Sequence, residues 1–181
     1  MAKDFKIEID RKVLEGLEKR LQDLNQKEIQ YGYFDKVYPA GTRAAGIPVA
    51  TVAFWHEHGL AADVIAGPTQ HSVHYPARPF FTFSIKKAEQ IVKNIAPVIY
   101  SLSFLGKLEK RLLQVGETLK ATIQESIDEA DQNGFPPLAP STVKRKKSDI
   151  ILRETDTLYD SVEAKIVNTD AYGSRKKEVD I

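Results

Sequence analysis

The spacing of apolar residues predicts helices and strands along most of the chain. Residues 5–10 alternate apolar and charged side chains, which is the pattern of a half-buried strand. The next stripe of leucines, at intervals of three and four residues, predicts an amphipathic helix over about residues 11–26; its members are Leu14, Leu17, Leu21 and Leu24. Ile29, Tyr31 and Tyr33 share one face of a second predicted strand over residues 29–35, in which Gly32 marks a bulge or a close approach.

The following part of the chain predicts a short helix and then a long loop. Apolar residues and His56 recur at helical spacing from Val49 onwards, and Gly59 stands where a helix C-cap is expected. Residues 60–79 contain Gly67 and three prolines without a clear period, which predicts a loop over this whole length. Loops this long in a compact domain are usually functional or form interfaces.

Two apolar stripes predict the main helices. The first, in which Pro97 is expected to kink or break the helix, consists of Ile85, Ala88, Val92, Ile95, Ile99 and Leu102. The second, which carries helix to about residue 130, consists of Leu105, Leu108, Leu112, Val115, Leu119 and Ile123. Residues 133–137, Asn-Gly-Phe-Pro-Pro, end this helix.

The C-terminal part predicts shorter elements. Ser141 is placed to cap a short helix ending at Lys147, residues 152–161 predict another helix, and residues 162–167 alternate as a strand does. The last ten residues are expected to be frayed. This order predicts an α+β fold, with a small, mostly antiparallel sheet packed on long helices, an extended loop and a C-terminal arm. We assign residues 1–135 to the core and residues 136–181 to the arm, which we expect to complete the same domain.

Length and composition limit the classes of protein to be considered. The 181 residues suffice for one domain, and the absence of Cys excludes disulfides, zinc fingers, Fe–S clusters and a thiol nucleophile. A net charge of +1 creates no strong overall field towards nucleic acid or membrane. No apolar stretch approaches the ~20 residues of a membrane span, and the charged N-terminus lacks the apolar region of a signal peptide. We therefore expect a soluble, non-exported protein that does not engage a membrane.

The histidines are the first candidates for chemistry. His56 and His58 flank Glu57, while His71 and His74 lie in the predicted loop, and imidazole is a common zinc ligand in hydrolases. Positions i and i+2 of a helix point ~200° apart, and the HExxH pattern is missing, so we expect no metal and no cofactor. No phosphate-binding glycine loop and no GxSxG elbow is present, and we expect no enzyme. A metal-dependent hydrolase that uses the four histidines is kept as an alternative.

One dense basic run is a candidate for contact with nucleic acid. It consists of Lys144, Arg145, Lys146 and Lys147, with Arg153 close behind. Lysine and arginine side chains attract phosphates without reading sequence, but no aromatic residues are interleaved here for base stacking. A sequence-nonspecific DNA-binding module is therefore a further alternative, against which the near-zero net charge counts.

Residues 75–81 combine two prolines, an arginine and two phenylalanines. Pro79 suits the first turn of the long helix, and the prolines stiffen the chain around Arg78. One interpretation is a rigid loop-to-helix joint with two core phenylalanines. The other is a bidentate clamp between Arg78 and Glu57, within one chain or between neighbours. If the clamp supports assembly, Arg78→Ala should leave the monomer folded.

The order of several motifs resembles a family of tailed-phage and prophage morphogenesis proteins. The motifs are Tyr-Gly-Tyr-Phe-Asp at 31–35, Tyr-Pro-Ala-Gly-Thr at 38–42, Val-Ala-Thr-Val-Ala at 49–53 running into His-Glu-His-Gly at 56–59, and Pro-Ala-Arg-Pro-Phe-Phe at 76–81. They are similar to those of the tail completion proteins, also described as neck or head–tail joining proteins, of the virion-morphogenesis and HK97-type minor tail groups. In that pattern a strand is followed by a helix ending in His-Glu-Phe-Gly, and an Ala-Arg-Pro-Phe segment opens a long helix.

The C-terminal part of the sequence is similar to the same family. The matching residues are Pro136, Pro137, Leu138, Ser141, Thr142 and Lys144, then residues 151–155, Leu158, Ser161 and Val162. His58 stands where the family more often has Phe, and Asp156 stands where it has Gly. Pro97 lies in a helix that often runs straight in the family, and the insert at residues 60–75 is longer than usual.

The resemblance implies a structural role in the virion. Proteins of this kind join the tail to the head connector as a ring, here expected to hold six or twelve copies, next to partners such as the tail terminator and the head–tail connector. A ring interface is heterologous, so each subunit presents two different surfaces. The residues expected at the interface are His56, Glu57, His58, Gly59, Arg78, Pro79 and Phe80. The basic run at 144–147 would face passing DNA, and the protein would reside in the virion after assembly in the host cytoplasm.

Overall fold

The computed structural model describes residues 11–66, 69–103, 108–169 and 175–178. Its helices are α1 (Arg11–Asn25), α2 (Val49–His58), α3 (Phe80–Ser103), α4 (Leu108–Asp128), α5 (Pro140–Lys146) and α6 (Thr157–Asp160). Its strands are β1 (Lys27–Gly32), β2 (Leu60–Ala66), β3 (Thr69–Tyr75), β4 (Glu163–Thr169) and β5 (Arg175–Glu178). The expectation of an α+β fold is confirmed.

The helix predicted over residues 11–26 and the strand predicted over residues 29–35 are present, with one change of boundary. α1 occupies the helix expected over residues 11–26. β1 ends at Gly32, although the pattern extended the strand to residue 35. Gly32 pairs with Glu163, the first residue of β4, so residues 33–35 extend beyond the end of their neighbouring strand β4. The strand expected at residues 5–10 lies outside the described residues.

The C-terminal segment that we expected to form an arm supplies the middle of the main sheet. The sheet has the order β1-β4-β5, and both strand pairs are antiparallel. Ile29 of β1 pairs with Ile166 of β4, and α4 packs across these two strands. The prediction of a frayed C-terminus is wrong for Arg175–Glu178, which pair with β4 as β5.

Most of the loop predicted over residues 60–79 is a β-hairpin. Residues 76–79 have no helix or strand, as predicted, and Gly67 and Pro68 lie outside the described residues. β2 and β3 are an antiparallel pair in continuous register from Leu60–Tyr75 to Ala66–Thr69. The segment contains strand-forming residues such as Val64, Ile65 and Val73, and two of its three prolines fall after β3. This segment therefore lacks helical periodicity because it forms two β-strands.

α3 is continuous across Pro97, so the predicted break into two helices is wrong. Its packed stripe also differs from the predicted one. Ala88 is buried and Ile95 and Ile99 pack on the core as expected, but Ile91 replaces Val92, which is 46% exposed. Ile85 is exposed as well, while the side chain of Leu102 is outside the described set.

α4 carries the predicted stripe into the core. Leu108, Leu112, Val115, Leu119 and Ile123 are all buried, whereas Leu105 lies outside the described residues. The helix ends at Asp128, slightly before the predicted residue 130. The stripe packs against α3 on one side and against β1 and β4 on the other.

The short C-terminal helices differ from their predictions. α5 begins at Pro140 after Ala139, and Ser141 forms no capping hydrogen bond. Most of the helix expected over residues 152–161 is irregular, because Leu152 and Asp156 take positive φ angles of 61° and 53°. Only Thr157–Asp160 is helical there.

A single cluster of buried side chains links both halves of the chain. It joins residues of α2, α3 and α4 to residues that follow position 150, and its members include Val49, Phe80, Ile123, Ile127, Ile151, Leu158 and Val162. Within the described ranges, no helix has the length and the apolar character needed to span a membrane.

Candidate functional site

The end of α2 and the start of α3 lie against each other, which brings the two central motifs of the resemblance together. The backbone N–H of Arg78 donates to the carbonyl of His56 at 2.6 Å. Gly59 ends α2 with φ 75° and ψ 164°, a region that is essentially restricted to glycine. A Cβ atom at this position would lie 2.8 Å from the carbonyl oxygen of Tyr75 and 2.9 Å from the nitrogen of Ala77. Glycine therefore allows the hairpin base and α2 to approach this closely.

Glu57 serves as the N-terminal cap of α3. Its Oε2 accepts the backbone N–H of Phe81 at 2.8 Å, and its Oε1 accepts the backbone N–H of Thr82 at 3.0 Å. Pro79, the residue that precedes α3, has no side-chain oxygen with which to cap it. The carboxylate of α2 therefore satisfies N–H groups that α3 cannot satisfy itself, and its charge suits the positive end of the helix dipole.

Arg78 is turned away from Glu57, so the predicted clamp is absent within the chain. The Arg78 side chain is 4% exposed; its Nε donates to the carbonyl of Pro136 at 3.1 Å and its Nη2 to that of Pro137 at 3.3 Å. The Glu57 carboxylate already accepts three hydrogen bonds from α3. Glu57 therefore caps α3, whereas Arg78 binds the backbone at residues 136–137. The buried guanidinium is also unsuited to the neighbouring-chain version of the clamp.

The alternative interpretation of this segment, a rigid loop-to-helix joint, describes the geometry. Phe80 is fully buried in the main core cluster, and Phe81 packs against the same cluster. Pro79, which lies in sequence between Arg78 and Phe80, is half-buried. The residues expected at an assembly interface are thus mostly engaged in holding α2, α3 and the turn at 136–137 together.

A cavity of about 730 Å³ opens beside this joint. Its walls come from the loop that carries Tyr38 and Arg43, from α2 through Trp55 and His56, from α5, and from the irregular segment at 152–158. The base of the β2–β3 hairpin and the side chain of Arg78 complete it. Six separate segments meet here, and no single motif in the sequence marks the cavity.

Cations dominate the charged lining of this cavity. Arg43, Arg78, Arg145, Lys146 and Arg153 line it, against two carboxylates, Glu154 and Asp156. Arg153 is bound to Asp156 at 2.7 Å and to Asp128 at 2.7 Å, which neutralises it locally. The lining has an excess of three positive charges, in a chain whose net charge is +1.

Burial and the nearby positive charges at the cavity change the pKa of His56. Burial, reinforced by the nearby charges of Arg78 and Lys146, lowers this pKa to about 4. Lys146 is itself half-buried and donates to the carbonyl of Ile150, and desolvation lowers its pKa. Burial and the charge of Glu154 raise the pKa of Tyr38 to about 12. At neutral pH, His56 is therefore an uncharged group held next to two cations.

The basic run of α5 is divided between the cavity and the outer surface. Arg145 and Lys146 line the cavity, whereas Lys144 and Lys147 do not. Lys144, Arg145 and Lys147 are exposed, and they form no ion pair with any residue that the structure describes. Three cations of the run are thus accessible to a phosphate or a carboxylate of another molecule.

The four histidines fall at two separate places. His56 is half-buried at the cavity, and His58 is exposed at the end of α2 with its ring 4.5 Å from that of Phe54. His71 and His74 are strand positions of β3, paired with Val64 and Ala61. Among the residues that the structure describes, no three or more potential metal ligands are grouped together.

Comparison of this chain with protein-family models, with curated proteins and with solved structures gives no match.

Proposed function

We propose that this chain is a non-enzymatic structural protein of a tailed-phage or prophage virion. In this proposal it is a tail completion or neck component that forms a ring of six or twelve copies and joins the tail to the head connector. The observation that carries the proposal is the β2–β3 hairpin, which pairs with no other strand among the described residues. A hairpin whose outer edges pair with no described strand is suited to bind a neighbouring subunit.

Neither outer edge of the hairpin pairs with a strand that the structure describes. β2 and β3 bond to each other over seven residue pairs, whereas the described strands of the main sheet are β1, β4 and β5. The outer N–H and C=O groups of each hairpin strand therefore have no partner strand among the described residues, and in this proposal a strand or loop of another chain bonds to them. An isolated two-stranded hairpin is only marginally stable in water, so docking on a neighbour would stabilise it.

A second, different surface is available on α1. None of its residues is buried, although its leucine stripe makes it amphipathic. Val13 is 54% exposed, Leu14 42% and Leu21 38%. A heterologous ring interface needs two unlike surfaces on each subunit, and the hairpin and the α1 stripe supply such a pair.

The backbone at Asp156 supports the sequence resemblance. The family pattern has Gly at this position, and Asp156 adopts φ 53° and ψ −1°, the left-handed conformation that glycine adopts freely. Asp is among the few other residues that tolerate this conformation. Asp156 thus adopts a backbone conformation that the Gly of the family pattern would also adopt.

The exposed cations of α5 fit the part of the proposal that concerns DNA. Lys144, Arg145 and Lys147 need only a nonspecific attraction to phosphates if they face a channel through which DNA passes. Their contribution to DNA binding would decrease with increasing salt concentration and would not depend on the base sequence.

The proposal is tested by removing each surface in turn. Because Leu60 and Tyr75 are paired positions, residues 61–74 can be replaced by two glycines without separating α2 from α3. A second variant, Leu14→Ser with Leu21→Ser, removes the α1 stripe. Its matched control is Glu15→Ser with Lys19→Ser, which changes two exposed polar residues of the same helix and leaves the net charge as it was.

Native mass spectrometry then reports the number of copies in each assembly. We expect rings for the natural chain and for the polar control, and folded monomers for the other two variants. A mixture of the two monomeric variants should give a heterodimer and nothing larger, because one intact interface remains between them. Rings formed without the hairpin, or a natural chain that stays monomeric at every concentration, would contradict the proposal.

A further inference from the structure

We propose that the cavity beside the α2–α3 joint is a binding site for an oxyanion attached to an apolar body, such as a carboxylate or phosphate on a ring or an aliphatic group. This inference does not depend on the virion role proposed above. It rests on the charge of the cavity, on a guanidinium fixed within it and on its apolar wall.

Two of the cations at the cavity have no carboxylate partner among the described residues. Arg43 and Arg145 are exposed at the cavity, on two different segments, and neither forms an ion pair with a described residue. Arg153, by contrast, is held by Asp128 and Asp156. Two arginines converging on one cavity provide the forked donors that carboxylates and phosphates accept.

The fixed guanidinium is that of Arg78. Bonds from Nε and Nη2 to two backbone carbonyls hold its plane in place, and carbonyls leave its positive charge uncompensated. His56 beside it is kept neutral by this cation and by burial. An anion in the cavity would therefore relieve the repulsion among groups that are already in position, without a rearrangement of the chain.

The wall of the cavity indicates what carries the anion. Trp55, Leu138, Leu152 and Leu158 line it together with the cations. A volume of about 730 Å³ is within the range of small-molecule sites. Glu154 and Asp156 interrupt the cationic lining, and apolar side chains lie between the cations, so a discrete anion on an apolar body fits better than a nucleic acid strand.

Trp55 makes the site easy to follow, because the chain contains one tryptophan. Its indole N–H gives a single, isolated peak in a proton–nitrogen correlation spectrum. We would titrate the full chain with phenyl phosphate, phenylacetate and inorganic phosphate at constant ionic strength. Saturable shifts of Trp55 and of the backbone of Arg43 are expected, with the phenyl compounds binding more tightly than inorganic phosphate. The order of the two phenyl compounds distinguishes a phosphate ligand from a carboxylate ligand.

Matched variants separate the site from general attraction to a basic surface. Arg43→Gln and Arg145→Gln should each weaken binding by about tenfold, the loss of a charged hydrogen bond. Lys144→Gln removes the same charge from the neighbouring residue of α5, which does not line the cavity, and should leave the affinity as it is. The three side chains are exposed, so each variant is expected to fold normally.

Two results would overturn the proposal. One is the absence of a saturable shift of Trp55 and of the other cavity residues with all three probes. The other is an equal loss of affinity in Lys144→Gln and Arg145→Gln, since that would show that the net charge of α5, and not the cavity, determines the affinity for the probes.

Discussion

Glu57 and Thr82 are joined by two hydrogen bonds to the same carboxylate oxygen. Oε1 of Glu57 accepts the backbone N–H of Thr82 at 3.0 Å and its hydroxyl at 2.5 Å. A residue near the end of one helix thus caps the beginning of another, across the hairpin that separates them in sequence. The same arrangement explains why His-Glu-His-Gly and Ala-Arg-Pro-Phe occur together: they are the two halves of one joint.

Removal of this cap should destabilise the chain. Glu57→Ala leaves the first N–H groups of α3 without their acceptor and is expected to lower the free energy of unfolding by about 1–2 kcal/mol. Glu57→Gln keeps one acceptor and should lose about half as much. Urea denaturation measures both. Glu89→Gln, an exposed residue of α3, is the control and should remain within ~0.5 kcal/mol of the natural chain.

Arg78 is expected to matter for folding and not for assembly alone. Arg78→Ala leaves the carbonyls of Pro136 and Pro137 without a donor and opens a gap in a buried region, at a cost of about 2–4 kcal/mol. Arg78→Lys cannot reproduce the forked geometry and should recover little of this loss. The control is Arg43→Ala at the exposed rim of the cavity. Equal urea midpoints for Arg78→Ala and the natural chain would show that this account of Arg78 is wrong.

His56 makes stability depend on pH in a defined window. Above about pH 6.5 its imidazole is neutral in the folded and the unfolded chain, whereas between about pH 6.5 and about pH 4 only the unfolded chain takes up the proton. The free energy of unfolding should therefore fall by about 2–3 kcal/mol as the pH is lowered through this window. His56→Gln should remove this contribution to the pH dependence of the free energy of unfolding. His58→Gln, on the exposed side of the same helix, should retain it, and urea midpoints at a series of pH values test the difference.

Gly59 should be the least replaceable of the glycines that the structure describes. In Gly59→Ala the new Cβ meets two backbone atoms at less than 3.0 Å in a conformation that alanine avoids, and we expect a loss of about 3 kcal/mol or more. Gly134→Ala has a positive φ but open space, and should lose about 1 kcal/mol. Gly16→Ala in α1 has neither problem and should gain about 0.5–1 kcal/mol. Thermal melts of the three variants give the order, and any other order would contradict the geometry at Gly59.

The sequence predicted best those elements whose apolar residues repeat over several turns. The α4 stripe from Leu108 to Ile123 is buried as its spacing indicates, and the alternation at 162–167 corresponds to β4. The α3 stripe was partly wrong, because Ile91 and Val92 are both apolar neighbours and only packing against α4 and β1 selects between them. The β2–β3 hairpin was missed, since Gly67 and the three prolines of residues 60–79 are typical of a loop when strand pairing is unknown.

The sequence indicated which residues form the α2–α3 joint, but it did not indicate which hydrogen bonds they make. Glu57 and Arg78 have opposite charges, and sequence alone favours pairing them. Tertiary structure offers each a better partner: α3 has unsatisfied N–H groups for Glu57, and the turn at 136–137 has unsatisfied carbonyls for Arg78. The cavity could not be predicted because its cations come from positions as distant as Arg43 and Arg153.

The position of the chain in a virus particle is the most direct test of the proposed role. In the proposed role, a phage or prophage encodes the chain. Its tailed particles can be purified, labelled with a gold-conjugated antibody against this protein and examined by electron microscopy. The account predicts one cluster of label per particle, at the junction of head and tail. Label along the tail or over the head, or particles that lack the protein altogether, would contradict it.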